Sequence, residues 1–113
     1  MTGALTLADG TRLSLDADGY LEDWQAWTPT VAEALAARDQ VVLERGHWDV
    51  LNVLRDFFGE YGITPPMRAI LRRLRERSGD PGLDSRALYR LFPEGPIPQG
   101  TRYAGLPKPV SCV

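Results

Sequence analysis

What constrains this chain most is where its prolines and glycines fall. Breakers at Asp9-Gly10, Asp18-Gly19, Thr28-Pro29, Gly62, Thr64-Pro65, Gly79 and Pro93 cut it into short lengths, and every regular element has to fit between them. The first length, ALTLADGTRLSLDADGY, alternates apolar and polar residues around Asp9-Gly10. That pattern predicts a β-hairpin, with Leu5 and Leu7 on one arm and Leu13 and Leu15 on the other. A third short strand at YLEDW, after Asp18-Gly19, would extend the hairpin into a small meander. A sheet this small needs helices over its apolar face.

The following lengths supply those helices. TPTVAEALAARD predicts a helix with Thr28 as N-cap, Pro29 in the first position and Val31, Ala34 and Leu35 facing inward. Residues 44–61 place Trp48, Leu51, Leu54 or Arg55, and Phe58 at helical spacing, with Gly62 as the stop. TPPMRAILRRLRERSG repeats the Thr-Pro opening, so Thr64 is expected to cap and Pro65 to begin a helix that Gly79 ends. Met67, Ile70, Leu71 and Leu74 form its inward stripe, and Arg68, Arg72, Arg73, Arg75 and Arg77 lie mostly elsewhere. DSRALYRLFPEGP gives a last short helix, capped by Asp84 or Ser85 and stopped by Pro93.

From Pro93 onward, five prolines and three glycines in twenty-one residues argue against any long regular element. The expected fold class is therefore α+β: a small N-terminal β-hairpin or meander packed on an array of about four to five helices, with an extended Pro/Gly-rich C-terminal arm. Residues 1–104 are expected to form one globular domain and residues 105–113 a flexible arm.

Composition sets outer limits on function. At 113 residues the chain is long enough for one modest core. It has no basic-then-apolar leader, and no apolar run near the roughly 20 residues that cross a bilayer. One cysteine excludes an internal disulfide framework. A soluble, cytoplasmic protein in a reducing compartment, without a membrane partner, is the expectation. Charge is divided along the chain: eleven acids against four arginines in residues 1–60, nine bases against four acids in residues 61–113. This permits a partner-binding face on the second half, and equally permits two halves that attract each other.

Most chemistries fail for want of residues. One histidine and one cysteine, His47 and Cys112, offer no metal-ligand spacing, and no glycine-rich phosphate loop is present. His47, beside Trp48 near a helix start, reads as a capping or packing residue. Residues 47–61 and 65–77 have the outline of a helix–turn–helix with an arginine-rich second helix, but a pI near 5.3 is acidic for a DNA-binding domain. That leaves Cys112, the only thiol, in the tail GLPKPVSCV. A packing cysteine is normally buried, whereas a terminus is normally exposed. From Gly105 onward an extended arm reaches roughly 30 Å. Pro107 and Pro109 bias it toward extension, and Gly105 is placed to act as the hinge. The neighbouring terminal carboxylate opposes thiolate formation, and Lys108 lies too far along an extended arm to compensate. Cys112 is therefore weakly activated alone, as suits a carrier that works inside a partner's pocket.

These segments resemble the DsrC/TusE family of small sulfur-carrier proteins. DADGYLEDWQAWTP, HWDVLNVLRDFFGEYGITPPMRAI, LYRLFPEGP and AGLPKPVSCV carry the resemblance, the last most specifically. It implies a β-meander against a helical array and a persulfide sulfur carried on Cys112, with no cofactor. The DsrC branch has a second cysteine eleven residues before the penultimate one, where this chain has Thr101. The single-cysteine pattern is similar to the TusE branch. That branch implies a Tus-type sulfurtransferase complex as donor, a tRNA-thiolating enzyme as acceptor, and 2-thiouridine at tRNA wobble positions as product. Arg68, Arg72, Arg86 and Arg90 are the candidates for touching a partner, with any tRNA contact indirect. The alternative is a single-cysteine DsrC-like protein that associates with dissimilatory sulfite reductase or serves sulfur-responsive regulation.

Overall fold

The computed structural model describes residues 3–109. Strand β1 (Gly3–Thr6) pairs antiparallel with β2 (Arg12–Leu15), and Leu5 lies opposite Leu13. The Asp9 carboxylate accepts from the Thr11 N–H at 2.9 Å, and Gly10 takes the positive φ of 93° that the turn requires. The expected third strand amounts to a single bridge between Leu15 and Leu21. Asp23 explains why: its side chain accepts from the Gln25 N–H and turns the chain into one 3-10 turn, Trp24–Ala26.

Among the described residues five helices follow. In α1 (Pro29–Arg38) the Thr28 hydroxyl accepts from the Val31 N–H, with Pro29 in the first turn as expected. Helix α2 (Arg45–Tyr61) begins with the Glu44 N–H donating to His47 Nδ1 at 2.9 Å. The other ring nitrogen of His47, protonated in that tautomer, donates to the Leu91 carbonyl at 2.9 Å. His47 therefore caps one helix and ties it to the end of another. Gly62 and Gly79 close α2 and α3 (Met67–Ser78) in the left-handed conformation, at φ of 72° and 71°.

Helix α3 starts two residues later than expected. Its N-cap is Pro66, not Thr64. Thr64 and Pro65 each precede a proline, whose ring disfavours helical backbone in the residue before it. Asp84 caps α4 (Ser85–Leu91) through the Ala87 N–H.

The stretch after Pro93, whose prolines and glycines argued against any long regular element, holds a fifth helix of eight residues, α5 (Pro96–Tyr103). Pro96 and Pro98 fall within its first turn, where backbone N–H groups have no intrahelical partner, so their missing donors cost nothing there. This helix packs against α1, α2 and α4, and α3 packs against α2. Phe92, Thr101, Tyr103, Ala104 and Leu106 are fully buried with Leu51, Leu54 and Ile70. The C-terminal helix is thus a central part of the core.

Gly59 of α2 and Gly62, its C-cap, should respond oppositely to alanine. Gly59 is inside the helix with open space around it, so Gly59→Ala should raise stability by about 0.5–1 kcal/mol. Gly62 sits at φ 72°, so Gly62→Ala should lower it by about 1 kcal/mol or more. Urea denaturation of the two variants checks both signs.

Candidate functional site

Cys112 lies outside the described residues, so the site is built from the stretch that carries it, residues 104–109. The end of α5 leaves carbonyls that no further helical turn can satisfy. Gly105, at φ 70°, reverses the chain. Its N–H donates to the Arg102 carbonyl, and the Leu106 N–H donates to the Thr101 carbonyl, both at 3.2 Å. This pair of bonds is a Schellman closure, and its apolar seal is Leu106, wholly buried.

Two side chains take the remaining carbonyls. Trp27 Nε1 donates to the Tyr103 carbonyl at 2.9 Å, and Arg55 Nη1 donates to the Ala104 carbonyl at 2.8 Å. Arg55 Nη2 also donates to the Trp24 carbonyl at 3.1 Å. The guanidinium stands 4.3 Å from the Trp27 ring centre and 5.6 Å from that of Trp24. Burial draws Arg55 below its ordinary pKa, against the pull of the neighbouring Asp56 carboxylate. A cation at a helix C-terminus also complements the helix dipole. The indole of Trp27 closes the space over Gly105, where a Cβ would stand 2.3 Å from Trp27 Cδ1.

Beyond Leu106 the chain surfaces at Pro107. Lys108 Nζ then meets Asp18 Oδ2 at 2.9 Å, in the second Asp-Gly turn. Hydrogen bonding and charge from Asp18 raise the pKa of Lys108 above its usual value. Both partners are more than half exposed, so the pair contributes direction more than stability. Pro109 follows, half-buried.

A polar network lies under the root. Tyr103 Oη donates to Asp39 Oδ2 at 2.7 Å and accepts from Gln99 Nε2 at 3.0 Å. Arg102 reaches the same Asp39 oxygen at 2.7 Å. Burial, then the Asp39 contact, raises the Tyr103 pKa. Thr101, where the resemblance puts a second cysteine in the DsrC branch, is fully buried, and among the described residues its Oγ1 has no hydrogen-bond partner.

The arginine candidates divide. Arg68 and Arg72 on α3 and Arg86 and Arg90 on α4 are exposed. Among the described residues none of these four joins an ion pair, whereas Arg73 pairs with Glu60 and Arg77 with Asp56. Arg75 donates to the Leu83 carbonyl at 2.7 Å. The sequence reading missed Trp27 and Arg55. A charged residue competing with Leu54 for the inward stripe of α2 was the available signal.

The family model described as DsrC like protein matches residues 7–113. This chain belongs to that family. It is 38% identical over 109 residues to Sulfurtransferase TusE of Salmonella typhimurium, covering 96% of this chain and 100% of that one. It is 41% identical over 105 residues to Sulfurtransferase TusE of Sodalis glossinidius, covering 93% and 97%. The fold matches the NMR structure of Allochromatium vinosum DsrC with a TM-score of 0.88 at 39% identity, covering 100% of both chains. It also matches the oxidized gamma-subunit of dissimilatory sulfite reductase (DsrC) from Archaeoglobus fulgidus, with a TM-score of 0.87 at 39% identity over 98% of this chain and 100% of that one.

The unpartnered hydroxyl yields a prediction. Thr101→Val keeps the side-chain shape and removes a buried polar atom that has no partner among the described residues, so stability should rise by about 1 kcal/mol. A fall in the thermal or urea midpoint would mean that the hydroxyl is satisfied in solution.

Proposed function

We propose that this chain is a sulfur-relay protein of the TusE type, a sulfurtransferase whose carrier atom is Cys112 Sγ. The carrying observation is the near-full-length match, at 36–41% identity, to chains named Sulfurtransferase TusE. The single thiol on a GLPKP tail supports it independently.

The chemistry needs one thiol and a partner. The Cys112 thiolate attacks the outer sulfur of a donor persulfide, R–S–SH. The donor's S–S bond breaks, R–S⁻ leaves, and Cys112–S–SH forms with the outer sulfur keeping its proton. No outside oxidant or reductant is consumed. Delivery is the same exchange in reverse sense, with the acceptor's nucleophile attacking the outer sulfur and the Cys112 thiolate leaving. With threonine at 101, this chain has no second thiol to expel the sulfur internally, so an acceptor must take it.

In this reading the donor is a Tus-type sulfurtransferase complex, the acceptor a tRNA-thiolating enzyme, and the end product 2-thiouridine in tRNA wobble positions, all in the cytoplasm. Arg68, Arg72, Arg86 and Arg90 form the exposed cationic surface offered to a partner. Association with dissimilatory sulfite reductase is the second reading, favoured by the DsrC structures that share the fold. Thr101 weighs against it.

Intact mass measurement under non-reducing conditions tests the carrier step. Incubated with a persulfide-loaded sulfurtransferase, the protein should gain one sulfur atom, lost again on reduction, and Cys112→Ser should gain none. No gain from several competent donors would overturn the proposal. The double variant Arg72→Glu with Arg86→Glu should accept sulfur from a protein donor about tenfold more slowly, as like charges now meet across the contact. An unchanged rate would remove the arginine surface from the account.

A further inference from the structure

The tail leaves the body under unusually complete control. Its root is held by four hydrogen bonds, from the Gly105 and Leu106 amides, Trp27 Nε1 and Arg55 Nη1. Leu106 is sunk in the core beside them. Gly105 has an indole where any side chain would go. Arg55 is the unexpected member. Its charge is drawn half out of water, and among the described residues it forms no ion pair. Both of its terminal nitrogens are committed to main-chain carbonyls, one in the Trp24 turn and one immediately before the tail.

We propose that Arg55, braced by Trp27, is a positioning residue for sulfur transfer: it fixes the point and direction from which the Cys112 arm departs. The pivot of the arm then lies beyond Leu106 and not at Gly105. Five residues lie between Leu106 and Cys112, and the six steps from one to the other reach about 20 Å when extended. A short tether from a fixed root holds its tip in a restricted volume, which raises its effective concentration at a docked partner's sulfur. A root that swivelled at Gly105 would spread the same tip over a larger volume. The Lys108–Asp18 contact gives the departing chain its first heading, toward the turn at residues 16–20.

The fork geometry of arginine is what this role requires. Lysine would keep the charge, but as a single point it cannot bridge the Ala104 and Trp24 carbonyls. Arg55→Lys is therefore the diagnostic substitution. Trp27→Phe is the milder one, removing the donor to Tyr103 while keeping an aromatic ring over Gly105.

The proposal rests on Cys112 being the sulfur carrier, and the test separates the two. Because Cys112 is the only thiol, a nitroxide attaches there alone. In the unmodified sequence, its broadening of amide NMR signals should concentrate on one face that includes residues 16–20. In Arg55→Lys and Trp27→Phe it should spread over more of the surface. Sulfur uptake from a persulfide-loaded protein donor should fall about tenfold in both variants, while uptake from inorganic polysulfide, which needs no oriented arm, should stay within about twofold. Melting curves establish that each variant is folded.

Folded variants with an unchanged label map and unchanged uptake from the protein donor would overturn the proposal. So would broadening spread evenly around the unmodified protein, a result that needs no variant. If the unmodified protein takes sulfur from neither source, the carrier reading falls, and the label map alone decides whether Arg55 directs the tail.

Discussion

The structure turns on how the carbonyls at the end of α5 are satisfied. A helix that stops inside a core has no water to complete its last turn, so each exposed carbonyl needs a donor brought to it. Here the donors come from the tail itself, through Gly105 and Leu106, and from two distant elements, through Trp27 and Arg55. That arrangement links the segment before α1, the middle of α2 and the start of the tail at one point. Leu106 is buried as a consequence, and α5 is held between α1 and α2 with Tyr103 bonded to Asp39 at the end of α1.

The same closure shapes the chemistry. An ordinary thiol, with a pKa near 8.5, is mostly protonated at neutral pH and is a slow nucleophile by itself. Such a residue works as a carrier when a partner supplies the activating groups and the carrier supplies delivery. What the described residues show is how the beginning of the tail is fixed. A fixed root and a short tether are complementary, because a tether helps only if its origin is defined.

Much of this was legible in the chain. Asp9-Gly10 with flanking leucines announced the hairpin, Thr28-Pro29 the start of α1, and Gly62 and Gly79 the ends of α2 and α3, because each is a local steric or hydrogen-bonding rule. The tail sequence carried the family resemblance and the proposed carrier, Cys112. Helix α5 stayed hidden because Pro96 and Pro98 read as breakers when they are in fact first-turn residues, a distinction that depends on where the helix begins. The start of α3 was misplaced because the Thr-Pro signal was cancelled by the second proline. Arg55 and Trp27 are separated from Ala104 and Gly105 by about half or more of the chain, and no local pattern reports a contact of that span.

The tail is rooted through Leu106, and amide hydrogen exchange on the free protein reads that directly. The Ala104, Gly105 and Leu106 amides, each bonded to a carbonyl of α5, should exchange as slowly as those of α5 itself, with protection ending at Lys108. Gly105 and Leu106 amides exchanging at the rate of an unstructured chain, while α5 stays protected, would contradict it and return the pivot to Gly105.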